Sequence, residues 1–157
     1  MKKIKCIQAG DKAPEFTLDD QNEKPFILSA FSGKQVLLSF HPLAWTSVCA
    51  KQMQSLEKNS TVFKQLNTVA VGVSVDTVPS KKAWADHLGI QKTRLLSDFW
   101  PHGAVAQKFG IFRTDDGISE RANIIISPQQ KVAYVQIYEL GELPDIKEII
   151  TVLQTEM

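Results

Sequence analysis

VLLSFHPLAWTSVCAKQM, Val36 to Met53, is the stretch on which the reading of this chain turns. Val36 to Phe40 is a short apolar run of the kind that fills a strand buried on both faces. Pro42 has no N–H to give a sheet ladder, so the strand is expected to end at His41-Pro42. A loop follows, and a helical pattern runs from Thr46 to about Lys58. Within it Cys49, Met53 and Leu56 fall at i, i+4 and i+7, one apolar face. A cysteine is thus expected in the first turn of a helix that directly follows a central strand.

The rest of the chain extends this unit. Val69 to Val75 (VAVGVSV) reads as a second central strand. Ile124 to Ile126 and Val132 to Tyr138 flank the turn SPQQK and predict an antiparallel hairpin. Further helices are expected over Ser80–Leu88, His102–Phe109 and about Pro144–Thr155, the last with Ile146, Ile149, Ile150 and Leu153 on one face. Strand and helix alternate, then a hairpin and a closing helix follow. This order predicts one α/β domain over residues 1–157, a mixed central sheet with helices on both faces. It resembles a thioredoxin-like fold with an N-terminal extension and an insertion in the middle.

Composition excludes several classes of function. The 157 residues carry a net charge of +1, and the one basic cluster is Lys2, Lys3 and Lys5, expected to be solvated. Binding to nucleic acid or an anionic membrane surface wants a larger basic patch and is not expected. No apolar run approaches the ~20 residues of a membrane span. The start MKKIKCIQAGDK lacks the apolar core of a signal peptide. A cytoplasmic, reducing location is the resulting expectation, where a cysteine of consequence is more often catalytic than structural. His41, His87 and His102 show no ligand spacing, so neither metal nor cofactor is expected.

Cys49 has two readings. Free cysteines are commonly small buried apolar residues. Against that, the free N–H groups and positive dipole end of a helix N-terminus favour a thiolate. Thr46 either caps the helix or holds an oxygen-bearing substrate beside the sulfur. Pro42 either merely ends the strand or walls one side of a thiolate pocket. His41 either packs or is solvated as a neutral ring, or lends positive charge below pH ~6.5. Gln52 rules out a Cys-x-x-Cys dithiol around Cys49. Trp45 and Trp100 read as packing residues.

These residues carry a resemblance. Pro42, Thr46 and Cys49 match P-x-x-x-T-x-x-C, the motif of the peroxiredoxins, thiol peroxidases that reduce hydroperoxides. GDKAPEFTL (Gly10 to Leu18) resembles that family's N-terminal stretch. LLSDFWPHGAVAQKFGIF (Leu95 to Phe112) looks very like its alkyl hydroperoxide reductase E branch. Arg121, one of three arginines, stands where the family keeps its active-site arginine, although the residue alone reads equally well as a surface ion pair with Glu120 or Asp116. The resemblance implies Cys49 as the peroxidatic residue, with Thr46, Arg121 and Pro42 around it. It also implies a homodimer with a contact near SDFWPHG, and recycling by an external thiol or a thioredoxin- or glutaredoxin-like protein. Cys6, the only other cysteine, lies outside the usual positions of a resolving cysteine and reads as incidental.

Deprotonation alone does not make a peroxidase. Lowering a cysteine pKa from ~8.5 to ~6 raises its thiolate fraction at neutral pH by roughly 20–30-fold. The accompanying loss of nucleophilicity, at a Brønsted slope of ~0.4–0.5, costs roughly 10–20-fold. Fixed donors aimed at the peroxide oxygens must supply the rest, and the Thr46 hydroxyl, the Cys49 N–H and the Arg121 guanidinium are the expected ones. A rival reading is a redox sensor or holdase in which oxidation of Cys49 switches a binding surface. A catalytically dead interaction domain would lack one of Pro42, Thr46, Cys49 and Arg121, and all four are present.

Overall fold

The computed structural model describes residues 5–156, so Lys2 and Lys3 of the basic cluster lie outside the described residues. In chain order the strands are β1 (Thr17–Asp19), β2 (Pro25–Ile27), β3 (Gln35–Phe40), β4 (Thr68–Ser74), β5 (Arg94–Ser97), β6 (Phe112–Arg113), β7 (Ile118–Ser119), β8 (Arg121–Ile126) and β9 (Val132–Tyr138). The α-helices are α1 (Ser47–Lys58), α2 (Ser60–Gln65), α3 (Val78–Leu88), α4 (Ala104–Lys108) and α5 (Ile146–Thr155).

The central sheet has the order β5-β4-β3-β8-β9. β4 runs parallel to β3 and β5, whereas β8 is antiparallel to β3 and β9. Every residue of β3 and of β8 is buried, as expected of central strands, including the polar Gln35, Ser39, Arg121 and Asn123. Alternation along the strands divides the core in two. Val36, Leu38, Phe40, Ile124 and Ile126 face α4 and the N-terminal hairpin. Leu37 and Ile125 face α1, α2, α3 and α5, through Met53, Phe63, Trp84, Ile149 and their neighbours. The expected mixed sheet with helices on both faces is what the chain forms, four helices on one side and one on the other.

Boundaries differ from the sequence reading where capping decides them. α3 begins at Val78 rather than Ser80, because the Thr77 hydroxyl accepts from the Ser80 N–H with proline in the first turn. α5 begins at Ile146, after Asp145 caps the Lys147 N–H. α4 is shorter than the expected His102–Phe109, since Gly103 stands before it in the left-handed region at φ 69°.

Gly72 on β4 lies under the Met53 side chain of α1. A Cβ there would lie 2.3 Å from Met53 Sδ and 3.1 Å from both His41 Cε1 and Leu95 Cδ2. Gly72→Ala is therefore expected to push α1 outward and lower stability by about 1–3 kcal/mol. A denaturant midpoint equal to wild type would show that Met53 yields without cost.

Candidate active site around Cys49

β3 delivers the chain at the C-terminal end of the sheet, and His41 and Pro42 follow it, both buried. The turn to α1 is tight, with Trp45 at φ 70°, a left-handed conformation rarely adopted by a bulky side chain. Its indole N–H donates to Ser80 Oγ at 3.0 Å and its ring packs on His87, which anchors the loop to α3. Asp76, after β4, accepts from the Ala44 N–H at 2.8 Å and fixes the loop a second time.

Thr46 is the N-cap residue of α1, but its side chain makes no cap bond. The hydroxyl donates to the Leu43 carbonyl at 2.8 Å. The capping reading of Thr46 is thereby corrected, and so is its expected use as a proton donor: the proton is already engaged and the lone pairs are free. Cys49 is the third helical residue and fully buried. The first backbone bond of the helix is Ala50 N–H to Thr46 C=O, so the Cys49 N–H has no helical partner.

Arg121 opens β8 at the same sheet end and is 3 % exposed. Its Nη1 donates to Cys49 Sγ at 3.3 Å and to Gln52 Oε1 at 2.7 Å. Its Nε and Nη2 both donate to the Leu140 carbonyl, just beyond β9, at 3.0 and 2.6 Å. The ion pair with Glu120 or Asp116 is not made, because Arg113 takes both carboxylates. Among the described residues no carboxylate pairs with Arg121. A buried guanidinium without a counter-ion costs several kcal/mol, roughly. The side-chain contacts of its Nη1 are instead the Cys49 sulfur and the Gln52 amide oxygen.

Two residues of this site escaped the sequence reading. Gln52, one turn after Cys49, donates to Ser39 Oγ at 2.7 Å and to the Phe40 carbonyl at 3.2 Å while accepting from Arg121. Lys81 of α3 is fully buried and lies 3.1 Å from His41 Nε2. Both stand as polar residues inside apolar helical stripes: Gln52 beside Cys49, Met53 and Leu56, Lys81 with Trp84 and Ala85. That intrusion was the available signal.

His41 is core-packed against Trp84, ring centroids 5.4 Å apart, and its Nδ1 faces the Ser39 carbonyl at 3.4 Å. Burial, then the charges of Lys81 and Arg121, hold its pKa well below the ordinary value, so it supplies no charge near pH 6.5. Burial likewise lowers Lys81 to about 7, against the pull of Asp76, Cys49 and Asp98. Between pH ~7 and the unfolded value of 10.5, the unfolded chain holds a proton here that the native chain has shed, so this group makes stability rise with pH. Lys81→Met is expected to be more heat-stable than wild type, most clearly at and below about pH 7, with the margin closing toward pH 10.5. A margin independent of pH would contradict this.

Cys6 is half-buried beside Ile7 against the opposite face of the sheet from Cys49. Burial, then Glu120, pushes its thiol pKa up. Trp100 is 80 % exposed with Phe99 beside it, so the packing reading of Trp100 does not hold within one chain. A surface cleft between α2 and the starts of β4 and β5 lies at the other end of the sheet and contains none of these residues.

A sulfur held by an arginine where a strand, a helix start and a second strand meet is what known proteins can be compared on. Residues 9–135 match the AhpC/TSA family. The chain belongs to that family. Alkyl hydroperoxide reductase E of Mycobacterium tuberculosis is 36% identical over 140 residues, covering 88% of this chain and 91% of the relative. A chloroplastic 2-Cys peroxiredoxin BAS1 of Hordeum vulgare is 33% identical over 155 residues, covering 92% and 73%. Among solved structures, AhpC of Enterococcus faecalis superposes with a TM-score of 0.87 at 25% identity, covering 95% of this chain and 92% of that one. Peroxidoxin BcpB from Mycobacterium tuberculosis gives 0.83 at 26% identity, covering 95% and 97%. The chain is thus a peroxiredoxin with the family's thioredoxin-like fold, a thiol-dependent peroxidase.

Proposed function

We propose that Cys49 is the peroxidatic residue and that it reduces hydrogen peroxide and organic hydroperoxides. The observation that carries this is the Arg121 contact to Cys49 Sγ, made by a buried guanidinium with no carboxylate partner. The thiolate attacks one peroxide oxygen. An S–O bond forms, the O–O bond breaks, and its electron pair leaves on the distal oxygen, which departs as water or alcohol after taking a proton. Cys49 is left as a sulfenic acid, oxidised by two electrons.

Arg121 and the free Cys49 N–H donate to the oxygens as charge moves onto them. Thr46, its proton held by Leu43, accepts the peroxide O–H and so orients the attacked oxygen toward sulfur. Pro42 closes the strand end beside the site and leaves no backbone donor there to compete.

An external thiol, small or carried by a thioredoxin- or glutaredoxin-like protein, returns the sulfenic acid to the thiol. This is supported by the placement of Cys6 across the sheet and by its raised pKa. The exposed Phe99 and Trp100 support a homodimer through SDFWPHG. A reducing, cytoplasmic location fits a protein whose two cysteines, Cys6 and Cys49, are both free; among the described residues no helix is long and apolar enough to cross a membrane.

Peroxide consumption with added thiol tests the proposal. Sustained turnover that disappears in Cys49→Ser is the expected result, and turnover retained in that variant would overturn it. Trp100→Glu is expected to convert the dimer to monomer in sedimentation; an unchanged mass would place the interface elsewhere.

A further inference from the structure

Behind Cys49 the mechanism leaves one buried pair without a use. Lys81, on the sheet-facing side of α3, has His41 Nε2 as its hydrogen-bond partner at 3.1 Å, and both residues are fully buried. The bond needs the histidine proton on Nδ1, where the Ser39 carbonyl lies at 3.4 Å to receive it. Ser39 Oγ in turn accepts from Gln52, whose Oε1 accepts from Arg121, whose Nη1 reaches Cys49 Sγ. Buried polar groups therefore line the way from α3 to the sulfur in two hydrogen-bonded segments that meet at Ser39, one on its carbonyl and one on its hydroxyl.

A lysine in an apolar helical stripe is costly to keep, and among the described residues no carboxylate pairs with it. The charged groups that face it come from every neighbouring segment. They are Asp76 after β4, Asp98 after β5 and Cys49 on α1, while His41 also feels Arg121 of β8. Asp76 is engaged by the Ala44 N–H and the Ser74 hydroxyl, and Asp98 by the Val105 and Ala106 N–H groups, with His102 acting on Asp98 from outside.

We propose that Lys81 is a positioning residue for the peroxidase reaction: its ammonium, held by neutral His41, is a second buried cation that favours the Cys49 thiolate. This rests on Cys49 as the reactive thiol. Arg121 touches the reacting atoms and stays charged at every working pH, whereas Lys81 acts from behind and can lose its proton near neutrality. Its burial puts that proton within reach, since its pKa falls to about 7. When oxidation removes the negative charge at Cys49, the attraction that keeps the Lys81 proton weakens, and the proton is released more readily.

The test follows thiolate ultraviolet absorbance against pH in a Cys6→Ser background, where Cys49 is the sole thiol. Tyr134 and Tyr138 do not interfere, because burial raises both pKa values, that of Tyr138 to about 12. Lys81→Met is expected to move thiolate formation up by about 0.5–1 pH unit, a ~3–10-fold loss of thiolate below the midpoint. His41→Phe keeps a ring against Trp84 but removes the acceptor, and is expected to shift formation the same way by less. The double variant is expected to go no further than Lys81→Met, because both changes act through one bond.

Peroxide rates are expected to fall by less than the thiolate fraction below the midpoint, because nucleophilicity rises with pKa at a slope of ~0.4–0.5, and to equal or exceed wild type well above it. A purely structural lysine would alter melting and leave the midpoints within ~0.2 unit of wild type, and that result would overturn the proposal. Absorbance reads the thiolate without peroxide. A shifted midpoint in a protein inert to peroxide would therefore sink the peroxidase assignment of Cys49 alone.

Discussion

Arg121→Lys is expected to slow oxidation of Cys49 by peroxide by about 10²–10³-fold, the loss associated with one well-placed transition-state donor. Lysine can carry the charge, but a single ammonium cannot repeat the four contacts that the guanidinium makes. Those contacts span two places: the Leu140 carbonyl on one edge and Gln52 with Cys49 on the other. An ammonium drawn to either would leave the other bare. Part of the loss is expected in the thiolate fraction and the larger part in the rate at saturating thiolate. Comparing second-order rates with thiolate absorbance over pH separates the two. A rate that followed the thiolate fraction with no further loss would show that Arg121 only sets charge.

Gln52→Leu carries the second large effect, this time on stability as well as rate. Removing the amide strips a partner from buried Ser39 Oγ, from the Phe40 carbonyl and from Arg121 Nη1. Buried polar groups left unpaired cost about 1–3 kcal/mol each, so a loss of about 2–4 kcal/mol is expected after partial relaxation. A guanidinium released from Gln52 also wanders from the sulfur, and a roughly tenfold slower peroxide reaction is expected from the misplacement. Chemical denaturation and stopped-flow rates on the same preparation check both. Unchanged values in both would mean that the amide is a bystander.

The four strands that form most of the sheet were legible in the sequence because each is a dense apolar or β-branched run. The hairpin was legible through SPQQK. β5 was not read as a strand: Arg94–Ser97 has four residues and only two fully buried side chains, Leu95 and Leu96, too short for a period to register. β1, β2, β6 and β7, of two or three residues each, are pairings settled by their partners rather than by pattern.

At the site, spacing alone put Thr46 and Cys49 on one helix start, and the family resemblance singled out Arg121. The contact between Cys49 and Arg121, 72 residues apart in sequence, depends on β3 and β8 pairing with Phe40 opposite Ala122. His41, Gln52 and Lys81 were harder. A polar residue in an apolar stripe announces that something satisfies it, but only the fold says what. His41 and Lys81 meet across two elements 40 residues apart. The same fold turned His41 from a candidate charge into a neutral acceptor.

The central claim is that Cys49 itself attacks peroxide and needs no second cysteine of the chain. Mixing reduced protein with stoichiometric hydrogen peroxide, following tryptophan fluorescence and weighing the product, tests it directly. Trp45 lies four residues from the sulfur and reports the event. Wild type and Cys6→Ser are expected to oxidise equally fast, each gaining one oxygen on Cys49. Oxidation no faster than that of free cysteine, or a Cys6–Cys49 disulfide as the wild-type product, would contradict the account.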